Sequence, residues 1–437
     1  LYSLDIKRFQ KFHSSKKFIM NRVTETLGDL YGMHWPYKQP RTSRNVRLLP
    51  YHEELKKAGA CFGQSGEYER PMWYAIDGAK PVYNYSFNYQ NWYPSVEHEC
   101  KNTTKNVGLF ELSPFSKYEI KGKKAYEELQ KLCTANIKNE VGCCTYTHML
   151  NEDAGIEADL TVVCINKDHF RIISSAAVRT HDKAHILKHI SDEVEFKDIT
   201  DELVCWGVFG PKSRALLSKI FNYNLSNQNL KFGTGKYIKV GLLDIWVQRL
   251  SYVGELGYEI YIKSENAKKL YNSIVNIGKE FQLTHCGAHT MDTMRMESGF
   301  LHWGHDISPE ENQFQAKLNF AISFKKNFNF IGKKELLKIK EQHLDKRFVM
   351  LILKDSKPGK PLLIHDEPIY IDNYIVGRTT SGNYSFNFSK NLSFGYIKSD
   401  LTDEQLVQKN LYIEIEKKKY PAELLLKPLK QTNFKNI

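Results

Sequence analysis

The sequence predicts an α+β chain: two pseudo-repeated subdomains packed as a pair, followed by a C-terminal antiparallel β-barrel. Three observations carry this. An order of strand, helix, hairpin, helix occurs twice, about ninety residues apart. From Phe348 onward the pattern changes to short strands broken by frequent turns. The composition of the 437 residues, 41% hydrophobic and 26% charged, is that of a chain able to bury two or three cores.

Residues 1–80 read as a helix followed by irregular chain. Ser15 is placed to cap "SKKFIMNRVTETL", where Phe18, Ile19, Arg22, Val23, Thr26 and Leu27 give one helical face. "PYKQPRTSRNVRLLP" reads as surface wrapping, and "GEYERPMWYA" closes the segment. The first copy of the repeat begins with the strand "SKYEIKG" and the helix "KKAYEELQKLCTA". It continues with the strands "YTHMLNEDAG", "IEADLTVVCI" and "HFRIISS" and the helix "THDKAHILKHI", capped by Thr180. The second copy runs from "VCWGVFG" through "PKSRALLSKIF", with Pro211 near the helix start, to a hairpin, "GLLDIWVQRLSYVG" and "ELGYEIYI". Its closing helix, "SENAKKLYNSIVNIG", is capped by Ser264. Residues 288–298 suit a helix ending at Gly299, and "IGKKELLKIKEQH" suits another headed by Gly332. The strands "RFVMLILKD", "EPIYIDNYIVGRTTSG", "LSFGYIKS", "NLYIEI" and "KYPAELLL" build the last domain, with its boundary placed at 344/345.

Within "RLSYVGELGYEIYI" two glutamates, Glu255 and Glu259, interrupt an apolar, β-prone stretch. Matching the two hairpins by their glycine turns, Gly155 and Gly257, pairs Asp159 of the first copy with Glu259 of the second. Two such carboxylates facing a shared seam would line a pocket. A half-buried carboxylate costs several kcal/mol without a partner, so Glu259 either faces water or a lysine, or accepts paired hydrogen bonds from an amidine-like ligand edge. Tyr252 and Tyr258 would add aromatic surface to such a site. Asp159, between Ala158 and Leu160, has apolar neighbours that raise a carboxyl pKa; it is either an outward residue of an alternating strand or a general base. Asp292 and Arg295, three apart on a helix, read as a surface ion pair or, if Arg295 is buried, as a cation holding a ligand carboxylate or orienting a pocket acid.

Other chemistries find less support. His285 and His289 stand four apart, with His302 and His305 further on, but no Glu adjoins His285 and the chain has fifteen histidines, so no metal is expected. The eight cysteines form no C-x-x-C, which argues for a reducing compartment. No apolar run approaches the ~20 residues that span a bilayer. The net charge of +12 is spread along the chain with no basic, aromatic-interleaved module, so neither nucleic acid nor a membrane is expected as a partner. "GACFGQSG" has the wrong glycine spacing for a dinucleotide loop.

"RLSYVGELGYEIYI", "MLNEDAGIEADLTV" and "MDTMRMESGFLHWGHDISPEENQFQAKLNF…FIGKKEL" resemble the folate-binding aminomethyltransferase family, which includes the glycine cleavage T-protein and the C-terminal halves of dimethylglycine and sarcosine dehydrogenases. The resemblance runs from about residue 85 to the end. Residues 1–80, with "LYSLDIKRF" and "GEYERPMWYA", resemble the tail of the flavin module that precedes this half in those dehydrogenases; residues 81–344 are then the folate-binding domain and 345–437 the barrel. The fold implied is two ferredoxin-like subdomains forming a folate pocket. The cofactors implied are tetrahydrofolate here and FAD on a module upstream, in the same chain or as a partner, since the chain opens on Leu1 rather than Met.

The activity implied is capture of the one-carbon unit of an N-methyl amine, delivered as an iminium or formaldehyde, as 5,10-methylenetetrahydrofolate. By the resemblance Asp159 matches the catalytic aspartate, Tyr252 and Glu259 match positions that hold the pterin, and Asn151 and Arg295 lie in matching motifs. Ala158-Asp159 stands where the T-protein has paired aspartates, and Met291 where it has an arginine, which speaks against T-protein activity and leaves the dehydrogenase reading intact; the N-terminal tail, which the T-protein lacks, sets the resemblance nearer the dehydrogenases. Two alternatives share the resemblance: a non-catalytic regulator like the pyruvate dehydrogenase phosphatase regulatory subunit, which "FHSSK" resembles, and a folate-dependent demethylase of a sulfur compound. A regulator has no need of Tyr252, Asp159 and Glu259 together. The compartment expected is a bacterial cytoplasm or, in a eukaryote, the mitochondrial matrix.

Overall fold

The computed structural model describes residues 9–66, 68–431 and 434–436; of "LYSLDIKRF" only Phe9 lies within them. Helix α1 (Lys16–Asp29) starts directly after Ser15, which sits at the cap position but makes no side-chain capping bond. A short helix α2 (His52–Lys57) leads into an antiparallel hairpin, β1 (Ala60–Ser65) and β2 (Tyr68–Tyr74). Leu49, Tyr51, Leu55 and Tyr74 belong to the same hydrophobic cluster as Leu109, Trp206 and Ile260, so this stretch is built into the core of the larger sheet. Helix α3 (Tyr93–Lys105), not expected from the sequence pattern, has proline in its first turn, where the missing N–H costs nothing.

After β3 (Val107–Glu111) the first copy of the repeat follows: β4 (Ser116–Lys121), α4 (Ala125–Leu132), β5 (Cys144–Leu150), β6 (Ile156–Asn166), β7 (His169–Ser174), α5 (Arg179–His189) and β8 (Glu195–Asp198). The second copy is β9 (Leu203–Phe209), α6 (Ser213–Phe221), β10 (Gly235–Val240), β11 (Leu243–Gln248), β12 (Gly257–Lys263), α7 (Ser264–Gly278) and β13 (Leu283–Cys286). The sheets run β5-β6-β7-β4-β8 and β10-β11-β12-β9-β3-β13. With β5 and β10 set aside, each copy is a βαββαβ unit of ferredoxin-like type, the second with β3 inserted between its first and last strands. Two helix starts differ from expectation: Val178, not Thr180, occupies the cap position of α5, and Ser264 is the first helical residue of α7 rather than its cap.

Strand β10, "GKYIKV", was not expected, and its presence changes how the copies correspond. Position by position β6 matches β11 and β7 matches β12. Asp159 on β6 and Glu259 on β12 are therefore not equivalent residues, contrary to the glycine-turn matching.

Both sheets are apolar on two faces, and the two-residue period sorts the side chains. On β12, Tyr258, Ile260 and Ile262 enter the cluster that includes Leu216 and Leu217 of α6 and Leu270 and Ile274 of α7. On β6, Ala158, Leu160 and Val162 enter the one containing Leu129 of α4 and Ile186 of α5. The opposite faces share a single cluster, with Val163 and Ile165 from the first sheet and Phe110, Phe209, Trp246 and Tyr261 from the second. Each fully buried side chain of this size contributes about 1.5–3 kcal/mol. The edge strands also meet: Cys144 N donates to Gly233 O at 2.8 Å and Gly235 N to Gly142 O at 2.7 Å. Gly142 has φ +90 and a Cβ there would lie 2.4 Å from Gly235 O, so no other residue fits that crossing.

Helix α8 (Ala288–Glu297) ends at a left-handed Gly299, as expected, and α9 (Lys333–Lys340) follows Gly332. The last domain is a closed barrel in the order β14-β17-β16-β15-β18-β19. Its strands are β14 (Arg347–Leu353), β15 (Pro368–Ile371), β16 (Tyr374–Ser385), β17 (Lys390–Ile397), β18 (Leu411–Ile415) and β19 (Lys418–Leu425). Closure removes the exposed edges that short, turn-rich strands would otherwise leave.

Candidate functional site

The face that the two sheets turn toward each other carries the polar residues. On β6 it presents Asp159, one position out of phase with Ala158 and Leu160. On β5 it presents Cys144, Tyr146 and His148, with His148 directly opposite Asp159 in the strand register. On β11 and β12 it presents Gln248 and Glu259, also directly paired, and Tyr261. Polar contacts that cross the seam include Cys144 Sγ, 3.9 Å from Gln248 Oε1, and the Arg171 guanidinium, 5.8 Å from the centre of the Tyr261 ring.

Asp159 is the least satisfied of these groups. Its side chain is 16% exposed, and Oδ1 is buried without a hydrogen-bond partner among the described residues. Burial pushes its carboxyl up to about 7, against the opposing pull of the Tyr146 hydroxyl. His148 approaches, but its Nε2 stays 3.7 Å from Oδ1. The imidazole is fixed from behind: Gln313 Nε2 donates to His148 Nδ1 at 2.7 Å, which puts the ring proton on Nε2, 3.1 Å from the Tyr146 oxygen. Burial lowers His148 to about 3, so the ring is neutral and cannot form an ion pair with Asp159.

Glu259 is half-buried and satisfied on one side only. Gln248 Nε2 and the Tyr261 hydroxyl both donate to Oε2, each at 2.7 Å, and among the described residues no protein donor bonds Oε1. Burial raises its pKa. The group is thus a carboxylate held in one orientation with an oxygen left for a further donor. Tyr252, in the loop between β11 and β12, stacks on Phe300 at 5.9 Å and 18° and donates to Leu301 O at 2.7 Å, which fixes its ring at the rim of the seam. Tyr258 is on the other face: its hydroxyl donates to Leu225 O at 3.2 Å and accepts from Arg214 Nε at 3.0 Å, so it adds nothing to the site.

The remaining expected residues are spoken for by the protein. Asn151 Oδ1 accepts from the backbone N–H groups of Asp153 and Gly155, at 3.1 and 2.8 Å, and Nδ2 donates to Glu157 at 3.2 Å. It shapes the β5–β6 turn, in which Ala154 is left-handed. Arg295 is not a surface residue but 2% exposed. Its donors go to Asp292 at 2.8 Å, Phe300 O at 3.1 Å, Ser381 Oγ at 2.8 Å and the fully buried Asp306. Of the two buried roles open to it, it carries that of orienting acids: despite burial, Arg295 holds the carboxyl of Asp292 below its usual range. Glu255 pairs with Lys430 in the C-terminal segment, so the hairpin's first glutamate ties the second repeat to the chain end while its second faces the seam. His285 and His289 each meet a tyrosine hydroxyl, of Tyr271 at 2.8 Å and of Tyr83 at 2.9 Å, while the rings of His302 and His305 lie 4.7 Å apart.

Sequence reasoning missed His148, Gln313, Gln248 and Tyr261. The last two carry a readable signal, since each shares the two-residue phase of its strand with the seam. Gln313 carries none, being 165 residues from the histidine it holds.

Residues 51–326 match the family model of the GCVT N-terminal domain, 346–430 that of the glycine cleavage T-protein C-terminal barrel domain, and 1–48 that of the FAD dependent oxidoreductase central domain. Over 428 residues, 98% of its length, the chain is 35% identical to 4-methylaminobutanoate oxidase (formaldehyde-forming) of Paenarthrobacter nicotinovorans. Over 438 residues it is 31% identical to mitochondrial dimethylglycine dehydrogenase of Homo sapiens. It spans about half the length of these relatives, 51% and 49%. The crystal structure of the glycine cleavage system aminomethyltransferase T from Bartonella henselae matches its fold with a TM-score of 0.75 and 22% identity, over 88% of this chain and 98% of that one.

Proposed function

Because the chain belongs to the glycine cleavage T-protein (GCVT) family, we propose that it is the tetrahydrofolate-dependent one-carbon acceptor half of an N-methyl amine dehydrogenase or oxidase. In this reading it collects the unit released by amine oxidation as 5,10-methylenetetrahydrofolate. The observation that carries it is the pair of raised-pKa carboxyls on facing sheets, each with one oxygen that no donor bonds among the described residues, Oδ1 of Asp159 and Oε1 of Glu259. Leaving the buried Oδ1 of Asp159 without a donor costs stability, which a ligand that donates to it would restore.

The donor set suits a reduced folate. Glu259, pinned by Gln248 and Tyr261, would hold the amidine-like edge of the pterin, and the fixed ring of Tyr252 would cover part of its flat surface. A bound tetrahydrofolate supplies a secondary amine as nucleophile. Asp159 Oδ1 is the base placed to take up the proton that such a nitrogen releases, and a pKa near 7 puts it where both its protonation states are accessible at neutral pH. Neutral His148, held by Gln313, keeps a second charge away from Asp159 and positions Tyr146 beside it. Oxidation of the amine belongs to a flavin module carrying FAD, of which residues 1–48 match one part; that module, fused or separate, is the proposed partner.

The test joins this chain to such a module, supplies an N-methyl amine, and measures 5,10-methylenetetrahydrofolate. The expected outcome is product in the presence of tetrahydrofolate and free formaldehyde in its absence. Equal formaldehyde release in both conditions would overturn the proposal.

A further inference from the structure

Helix α1 is built inside out. The residues it turns toward the rest of the chain are Phe18, Arg22, Glu25 and Asp29, three of them charged. Glu25 accepts from the backbone N–H groups of Arg41 and Thr42, at 2.6 and 2.8 Å. Arg22 donates to Thr42 O and to Gln64 Oε1, each at 2.9 Å, and Asp29 pairs with Lys38 at 2.7 Å. The opposite face carries Ile19, Met20, Val23, Leu27 and Leu30, each 47–59% exposed. Ile19, Val23, Leu27 and Leu30 stand four, four and three positions apart, so they form one stripe along the helix. None of the five belongs to a hydrophobic cluster of the described residues. Beside Met20 the helix surface is small or bare, at Thr24 and Gly28, and a Cβ built at Gly28 would meet nothing within 4 Å.

An amphipathic helix ordinarily turns its apolar stripe to a core and its charges to water. Here the charges anchor the helix and the stripe is left outside, a contiguous apolar surface of the kind that another polypeptide covers. The division of the chain indicates which polypeptide. All of α1 lies within residues 1–48, the part that matches the FAD dependent oxidoreductase central domain. Its polar face reaches Gln64, which lies within residues 51–326, the part that matches the GCVT N-terminal domain. We propose that the outward stripe of α1 is the docking face of the FAD-carrying module, which makes this helix the joint between amine oxidation and the folate seam. This rests on the reading of that module as the partner. The complementary surface is an apolar groove about three helical turns long, roughly 17 Å at 1.5 Å per residue.

The test labels Ile19→Cys with N-ethylmaleimide in the 437-residue chain alone and in the chain joined to the FAD-carrying module, with peptide mass spectrometry as the readout. Tyr374→Cys, at an exposed position of the barrel, is the control. Joining the module is expected to slow labelling at position 19 at least tenfold and to leave position 374 unchanged. Adding Val23→Glu and Leu27→Glu is expected to return position 19 to the rate of the chain alone. Both glutamates replace side chains that are exposed in the chain alone, so its thermal midpoint and tetrahydrofolate affinity should not change. A marked fall in that midpoint would mean that the stripe is packed within the chain, and would overturn the proposal. Equal labelling with and without the module would overturn it as well. Protection in the chain alone that disappears on dilution would assign the stripe to a second copy, with the same consequence. None of these failures touches tetrahydrofolate binding by the wild type, whose absence would sink the folate reading and leave the docking face standing.

Discussion

His148 Nε2 stops 3.7 Å short of Asp159 Oδ1, although the two residues are directly paired across β5 and β6. The shortfall is enforced, because Gln313 holds the ring through Nδ1 and turns its proton toward Tyr146. Asp159 is thereby left as a buried base with an unspent oxygen. Its replacement by a shape-preserving amide should separate binding from chemistry. A base acts in the transition state more than in the ground state. Asp159→Asn is expected to leave tetrahydrofolate affinity within a few-fold and to slow methylene transfer by roughly two to four orders of magnitude. Loss of folate binding instead would make Asp159 a binding residue.

The same carboxyl predicts a pH signature. Unfolded, Asp159 ionises near its ordinary 3.8; folded, it keeps its proton to about 7. Between those values the folded state binds more protons, so this group's contribution to stability falls as pH rises. Asp159→Asn should therefore raise the thermal midpoint at pH 8 and change it little at pH 4. The transfer rate of the wild type should climb through about pH 7 as the base ionises. A midpoint shift of equal size at both pH values would contradict the assignment.

Glu259→Gln keeps the shape but loses the charge that Gln248 and Tyr261 orient. It is expected to weaken folate binding by about 1.5–3 kcal/mol, the worth of a charge-assisted pair. Tyr252→Ala should weaken it as well, and both variants should remain folded. Normal affinity in either variant would return the strand to a purely structural reading.

Glu255 and Lys430 make a different kind of statement, about stability. The pair is buried, so Glu255→Ala leaves a buried ammonium and should cost about 3–5 kcal/mol in urea denaturation. Glu255→Met with Lys430→Met should recover most of that loss, because it removes both charges. If the single variant is as stable as wild type, the pair does not tie the second repeat to the chain end.

The fold was largely legible because its signals are local. Short strands punctuated by turns announced the barrel, and strand-helix-hairpin order announced the repeats. Strand β10 escaped notice because Lys236 and Lys239 make "GKYIKV" look like exposed loop; in the sheet it is an edge strand on which Lys239 is exposed, as suits an edge, while Lys236 shares the face of Ile238 and donates to the Tyr223 hydroxyl at 2.7 Å. Missing it led to the wrong correspondence between Asp159 and Glu259. Within the site, both acids stood out because each interrupts an apolar, β-prone stretch a few residues after a glycine turn. What that pattern could not reveal were partners supplied from afar: Gln313 for His148, Lys430 for Glu255, and Ser381 of the barrel for Arg295. Those depend on how domains pack, which no local window contains.

The central claim is that the seam between the two repeats takes a reduced folate on Glu259. Calorimetric titration of the 437-residue chain with tetrahydrofolate, run beside Glu259→Gln, tests it most directly. The account predicts saturable binding by the wild type, tightened or unchanged by a polyglutamate tail, and binding roughly tenfold or more weaker in the variant. No heat and no competition at millimolar tetrahydrofolate, or equal affinity in the two proteins, would contradict it.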